Sequence, residues 1–176
     1  SDVCSSDLIL LNFGYQGMVS LVDVLCSRHD IIVYDAESHA CIIDGVRLHP
    51  GHRYVFKHND IADCEKQLQR ASALIEKQQA GGILLISEGV FGMAGDQGKL
   101  KELAALKAKY SFRFLVDDAH GFGVLGEQGH GILEQENIDS SRVIYIGTLG
   151  KAAGVSGAFI CAQDSFIEWL IQKGRP

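Results

Sequence analysis

The sequence predicts an α/β fold: a mostly parallel seven-stranded sheet with one antiparallel strand and helices on both faces. Three observations predict it. Seven short apolar runs punctuate the chain, and continuous runs of this length mark strands buried on both faces. Segments with helical spacing of apolar residues lie between most of them, and such alternation gives parallel strands joined by crossover helices. The last two runs stand too close together for a crossover helix, so they are expected to lie antiparallel.

The first strand is expected over Ile9–Phe13. Gly14-Tyr15-Gln16-Gly17 then leads into a helix over Gly17–Arg28. A strand at Ile31–Tyr34 precedes a helix at Ala40–Leu48, and a third strand covers Arg53–Lys57. The clearest helix is Ile61–Lys77, where Ile61, Leu68, Ala71 and Ile75 form one stripe and Asp60 stands at the N-cap. A strand over Gly82–Ser87 follows. The next helix, Lys99–Tyr110, brings Leu100, Leu103 and Leu106 near a common face. Strands at Phe112–Asp117, Val143–Thr148 and Gly157–Cys161 complete the sheet. The last helix, Asp164–Lys173, opens on a capping Asp and carries Phe166, Ile167, Leu170 and Ile171.

Composition fits this picture. A chain of 176 residues suits one domain, and 47% hydrophobic with 22% charged residues describes a soluble globular protein. A net charge of -6 with no basic stripe argues against a nucleic-acid partner. No apolar run is long enough to span a bilayer, and no secretory signal opens the chain. Cys4, Cys26, Cys41, Cys64 and Cys161 are scattered, odd in number and form no C-x-x-C pair. They read as thiols of a reducing, cytoplasmic compartment. His29, His49, His52, His58 and His130 lack the paired spacing of a metal site, so no metal is expected. Ser1 to Leu8 reads as a translated sequencing adapter, which leaves residues 9–176 as the domain. Arg175-Pro176 breaks off after a helical pattern, so the chain is expected to be cut at both ends.

Ligands of such sheets bind beyond the carboxyl ends of the strands. Gly14-Tyr15, Asp117-Asp118-Ala119-His120 and Thr148-Leu149-Gly150-Lys151 all follow strands there and are expected to converge. Lys151 sits among small residues, open to close approach by a ligand; desolvation would favour Schiff-base chemistry, while the plainer reading is a solvated lysine. Asp117 ends a buried strand and needs a partner, either a protonated pyridine nitrogen or the backbone of a turn. His120 can donate to a ring hydroxyl or serve a structural role. His39 can stack on an aromatic ring or cap the helix that follows. The strand-to-helix turn at Gly14 to Gly17 can hold a phosphate or be only a turn. Gly121-Phe122-Gly123-Val124-Leu125-Gly126 matches the dinucleotide pattern G-x-G-x-x-G. It lies several residues past its strand and opens no clear helix, so its glycines are expected to make tight turns beside a ligand.

Four ordered motifs resemble the α-oxoamine synthase family of fold-type I pyridoxal-phosphate enzymes: Ser38-His39-Ala40-Cys41-Ile42-Ile43-Asp44-Gly45, Glu88-Gly89-Val90-Phe91-Gly92-Met93-Ala94-Gly95-Asp96, Val116-Asp117-Asp118-Ala119-His120-Gly121 and Thr148-Leu149-Gly150-Lys151-Ala152. The resemblance covers Ile9 to Pro176 and implies the family's large domain, with the small domain missing. It implies pyridoxal 5'-phosphate held covalently by Lys151, with Asp117 on the ring nitrogen, His120 on the ring hydroxyl and His39 against the ring face. Thr148, with Gly14 and Tyr15, would hold the phosphate; Glu88 matches an active-site carboxylate. The implied reaction condenses an amino acid with an acyl-CoA or an acyl carrier thioester, losing the carrier thiol and CO2, in a full-length homodimer; the fragment alone would be inactive. Residues 31–123 are most similar to the serine palmitoyltransferase branch of sphingolipid synthesis, and residues from Val124 onward to the 8-amino-7-oxononanoate synthase branch of biotin synthesis. Two departures stand out: Gly92 replaces a common Ser, and Phe13-Gly14-Tyr15-Gln16-Gly17-Met18 differs from the usual Ser-Gly-Tyr-x-Ala-Asn. Another pyridoxal-phosphate enzyme of the same fold, an aminotransferase or lyase, and a fragment that only binds the cofactor or associates are the alternative readings.

Overall fold

A computed structural model describes residues 7–174. Seven strands form one sheet in the order β1-β7-β6-β5-β4-β2-β3. They are β1 Asp7–Leu11, β2 Ile31–Asp35, β3 His52–Phe56, β4 Ile83–Glu88, β5 Arg113–Asp117, β6 Ile144–Thr148 and β7 Ala158–Ala162. The pairs from β3 through β6 are parallel. β7 runs against both of its neighbours, β1 and β6, as the short hop between the last two runs requires.

Alternation along each strand divides the core into two apolar layers. Ile31, Val33, Ile83, Leu85, Phe114 and Val116 face one side. There they meet α3 (Ile61–Gln78) through Cys64, Leu68 and Ala71, and α4 (Leu100–Ala105) through Leu100 and Leu103. Ile32, Leu84, Ile86, Leu115 and Ile146 face the other side. They meet α1 (Gly14–Leu25), α2 (Ala40–Leu48) and α6 (Asp164–Lys173) through Met18, Leu21, Ile42 and Ile167. Each such side chain contributes about 1.5–3 kcal/mol on burial, so two filled layers carry the fold. A one-turn helix, α5 (Ile132–Gln135), lies in the long β5–β6 connection.

Several boundaries differ from the sequence reading. β1 begins at Asp7 and ends at Leu11, because pairing with β7 from Asp7↔Ala162 to Leu11↔Ala158 sets its span. Asp7 and Leu8, assigned above to an adapter, thus lie in the sheet, while Ser1 to Ser6, including Cys4, fall outside the described residues, as do Arg175 and Pro176. α1 starts at Gly14 rather than Gly17, since Phe13 is extended and serves as the N-cap. α4 stops at Ala105 and tightens into a single 3-10 turn over Leu106–Ala108. Asp164 occupies the first turn of α6, where its charge suits the helix dipole; Gln163 is the N-cap and makes no side-chain bond. Asp60 does cap α3, accepting from the Asp63 N–H at 3.0 Å.

Candidate active site

Period-two alternation sets three polar side chains in a row at the carboxyl edge of the sheet. Ile86, Leu115 and Ile146 lie in the layer beneath α1 and α2. Two residues on, the same face presents Glu88, Asp117 and Thr148. Glu88 and Asp117 are direct partners in the β4–β5 register. Strand order also reverses here: β3 lies outside β2, whereas β5 and β6 lie beyond β4. The connections after β2 and β4 diverge and leave a crevice at the switch point. The N-termini of α1 and α2 close it. The result is a cavity of about 210 Å3 whose lining includes all eight predicted residues: Gly14, Tyr15, His39, Glu88, Asp117, His120, Thr148 and Lys151. A larger cavity of about 480 Å3 opens at the opposite end of the sheet, beside Phe112, Arg113 and Val143. It lies away from the carboxyl edge and from these side chains.

The acidic wall is short of partners. Asp117 is 7% exposed. Its Oδ1 accepts from the Ala119 N–H at 3.0 Å. Among the described residues its Oδ2 has only the Cys41 thiol, a weak donor, at 3.9 Å. Burial pushes the Asp117 carboxyl above the usual range, against the pull of the Ala119 N–H and of Lys151. Burial, and then the charge of Asp117, raise Glu88 to about 8, although Glu88 accepts from the His39 backbone N–H. A cation in the cavity would relieve both groups.

The opposite walls are cationic or rich in donors. Lys151 lies in the loop after β6, exposed at the cavity mouth, with its Nζ 3.5 Å from His120 Nδ1. Burial, and then Lys151 and His39, lower the His120 pKa, which favours a neutral ring. His39 is the N-cap of α2, accepting at Nδ1 from the Cys41 N–H at 3.2 Å, and Tyr15 meets it edge-on with ring centroids 6.3 Å apart. The capping and ring-facing readings of His39 are therefore compatible. The Tyr15 hydroxyl donates to Asp44. The N-cap of α1 supplies no side-chain acceptor and the first turn has no acidic residue, so its N–H groups and the helix dipole favour an anion. Thr148 Oγ1 lies 3.6 Å from where a Gly14 Cβ would stand, which adds a hydroxyl to that corner.

Three features escaped the sequence reading. Cys41 lines the cavity, with its Sγ 3.0 Å from His39 Nδ1; burial raises the thiol to about 12, so it stays protonated. Asp118, one residue past Asp117, faces the other layer. It is fully buried, and its Oδ2 accepts from the Ile132 N–H and the Tyr145 hydroxyl, each at 2.8 Å, pinning the loop that carries His120. The Asp-Asp pair with strand alternation was the available signal. The third feature is a network around His58, taken up below. The G-x-G-x-x-G stretch opens no helix; Gly123 and Gly126 sit at φ 78 and 84 in a run of turns.

A mostly parallel sheet with a lysine, a buried aspartate and a helix N-terminus converging at its switch point is the architecture of one broad enzyme class. Residues 4–176 match the model of the aminotransferase class I and II family, and the chain belongs to that family. More particularly, it is 55% identical over 161 residues to a cysteate-C-fatty acyltransferase of Capnocytophaga ochracea, covering 92% of this chain and 38% of that protein. It is 43% identical over 162 residues to an 8-amino-7-oxononanoate synthase of Burkholderia ambifaria, covering 92% of this chain and 35% of the relative. Among solved structures, a serine palmitoyltransferase from S. paucimobilis with a bound PLP–myriocin aldimine superposes with a TM-score of 0.89 at 28% identity, over 99% of this chain and 44% of the other. The 8-amino-7-oxononanoate synthase of Francisella tularensis gives 0.77 at 31% identity, over 94% and 45%. The resemblance read from the four motifs is borne out. The chain spans less than half the length of these proteins.

Proposed function

We propose that the full-length protein is a pyridoxal-phosphate-dependent C-acyltransferase of the α-oxoamine synthase type, with the sheet that begins at Asp7 and its helices as the cofactor-binding large domain. The observation that carries this reading is Asp117 Oδ2: a buried carboxylate oxygen, without a strong donor among the described residues, facing a cavity whose other walls hold Lys151 and an uncapped helix N-terminus. When bound, pyridoxal phosphate supplies the electron sink that stabilises a carbanion at the amino-acid Cα.

The residues divide the remaining work. Asp117 would hold the proton on the ring nitrogen through a charge-assisted hydrogen bond. The first turn of α1, at Gly14 and Tyr15, and the Thr148 hydroxyl bind the phosphate. His39 would lie against the ring face, and a His120 ring nitrogen would hydrogen-bond the ring hydroxyl. Lys151 provides the amine that anchors the cofactor. With the cofactor bound, the Lys151 amine would be placed to take and return the substrate Cα proton. Glu88 accepts from the backbone of His39 and so fixes the start of α2.

The substrates are an amino acid and an acyl-CoA; the new C–C bond forms at Cα, and CoA and CO2 leave. The 55% identity to a cysteate-C-fatty acyltransferase, against 43% to an 8-amino-7-oxononanoate synthase, favours cysteate and a fatty acyl chain. No helix among the described residues is long and apolar enough to cross a membrane. The family resemblance is what supports a cytoplasmic homodimer. The test is to supply the full-length protein and cofactor with palmitoyl-CoA and, separately, cysteate, serine, alanine or glycine, and to follow CoA release and the amino ketone by mass spectrometry. Cysteate is expected to give the highest kcat/KM, by about tenfold or more, a gap of about 1.4 kcal/mol. Keto-acid formation with no CoA released would place the protein among the aminotransferases instead.

A further inference from the structure

Outside the cavity, the described residues hold a second polar cluster, built on one buried carboxylate. Asp35, at the end of β2, is fully buried. Its Oδ1 accepts from the Glu37 N–H at 2.8 Å and lies 2.8 Å from His58 Nδ1, while its Oδ2 accepts from the Asn59 N–H at 3.0 Å. The other His58 nitrogen, Nε2, lies 2.8 Å from Asp96 Oδ2 and 3.8 Å from Glu37 Oε2. An ionised carboxylate only accepts, so a ring with a carboxylate at each nitrogen is doubly protonated. Burial opposes that charge, but hydrogen bonds to Asp35 and Asp96 outweigh it and raise the His58 pKa. Asn59 completes the junction, donating from Nδ2 to Asp96 Oδ2 at 2.9 Å and to the Gln97 carbonyl at 3.0 Å. Phe91 packs edge-on against the His58 ring, with centroids 4.5 Å apart.

Asp96 and Phe91 belong to the loop of residues 89–98 that follows β4. Its base is tied by the Gly89 N–H to the Asp117 carbonyl at 2.7 Å and by the Gly98 N–H to the Gly89 carbonyl at 2.9 Å. Its far side is held by the Phe91 N–H to the Asp96 carbonyl, and Asp96 is held in turn by His58. This loop supports His120: the Val90 carbonyl favours the protonated ring, and a Cβ on Gly92 would stand 2.5 Å from His120 Cε1. The imidazole therefore rests directly on the backbone of residue 92. A Ser at this position, as in many α-oxoamine synthases, would require the ring to move.

We propose that His58 is a positioning residue of the active site: bridging Asp35 and Asp96, it clamps the loop of residues 89–98 and thereby sets the place of the His120 ring beside Lys151. The clamp acts at a distance from the cavity, on the support of His120 rather than on His120 itself. It rests on the cofactor reading in one respect only, that His120 meets the cofactor.

The test uses the full-length protein and two variants, His58→Gln and Asp96→Asn. Hydrogen–deuterium exchange of cofactor-free protein reads the loop, and titration of the bound-cofactor absorbance reads the site. Exchange across residues 89–98 is expected to rise about tenfold or more in both variants, with the α3 peptides unchanged, and pyridoxal-phosphate affinity to fall about tenfold or more. Loop exchange and affinity both within twofold of the parent would overturn the proposal. Faster loop exchange with unchanged affinity would overturn it too, since the clamp would then be structural only. If His58→Gln fails to fold, Asp96→Asn, which keeps the His58–Asp35 pair, decides. A parent protein that binds no pyridoxal phosphate would overturn the cofactor reading, while the exchange measurement would still judge the clamp.

Discussion

Two carboxylates in register, Glu88 and Asp117, set the chemistry of the cavity at the scale of single residues. Burial raises both. For Glu88 the folded value is about 8 against an ordinary 4.5, so its contribution to stability is fully present below about pH 4.5 and is lost as pH rises through about 8. Asp118, raised mainly by burial to about 6, acts in the same direction at lower pH. The cofactor-free protein should therefore lose stability from about pH 4 to about pH 8, by an amount on the order of a few kcal/mol. Glu88→Gln should remove most of the part of that decline above about pH 6, where Asp118 is already ionised. Urea titrations at several pH values measure it; an unchanged slope in the variant would show that Glu88 is not the group responsible. The same pair explains why a cationic ring is welcome: a positive charge beside Asp117 offsets what burial costs.

At the scale of elements, local signals and long-range pairing contribute differently. α3 has both a stripe and a cap, since the Asp60 side chain accepts from the Asp63 N–H. Asp60→Ala should cost about 1 kcal/mol, read as a lowered thermal midpoint with the cofactor site intact; no change would mean that packing of Leu68 and Ala71 alone holds the helix start. The bounds of α2 and α6 were legible because their apolar periodicity runs from end to end. The start of α1 was not. Gly14-Tyr15-Gln16-Gly17 reads locally as a turn, and Phe13 is not a capping residue, yet the first helical turn falls there and builds the anion corner. The span of β1 was hidden for another reason: its partner β7 lies at the far end of the chain. The site divides the same way. Alternation and the four motifs made Asp117, Thr148 and Lys151 legible, whereas the bridge from Asp35 through His58 to Asp96 joins three segments whose contact no periodicity encodes.

At the scale of the whole molecule, one sheet with two filled layers leaves its candidate site residues at a single edge. Leu10, Phe13, Val124 and Trp169 are exposed, each at 50% or more. In the proposed full-length homodimer, such surfaces are candidates for cover by the rest of the chain or by the second copy. The central claim is narrower than the assembly: one lysine at this edge holds the cofactor. Its most direct measurement is to load the full-length protein with pyridoxal phosphate, reduce it with borohydride and map the labelled peptide by mass spectrometry. The account predicts a pyridoxyl group on Lys151 and on no other lysine. A folded protein that carries the label elsewhere, or takes up none, would contradict it.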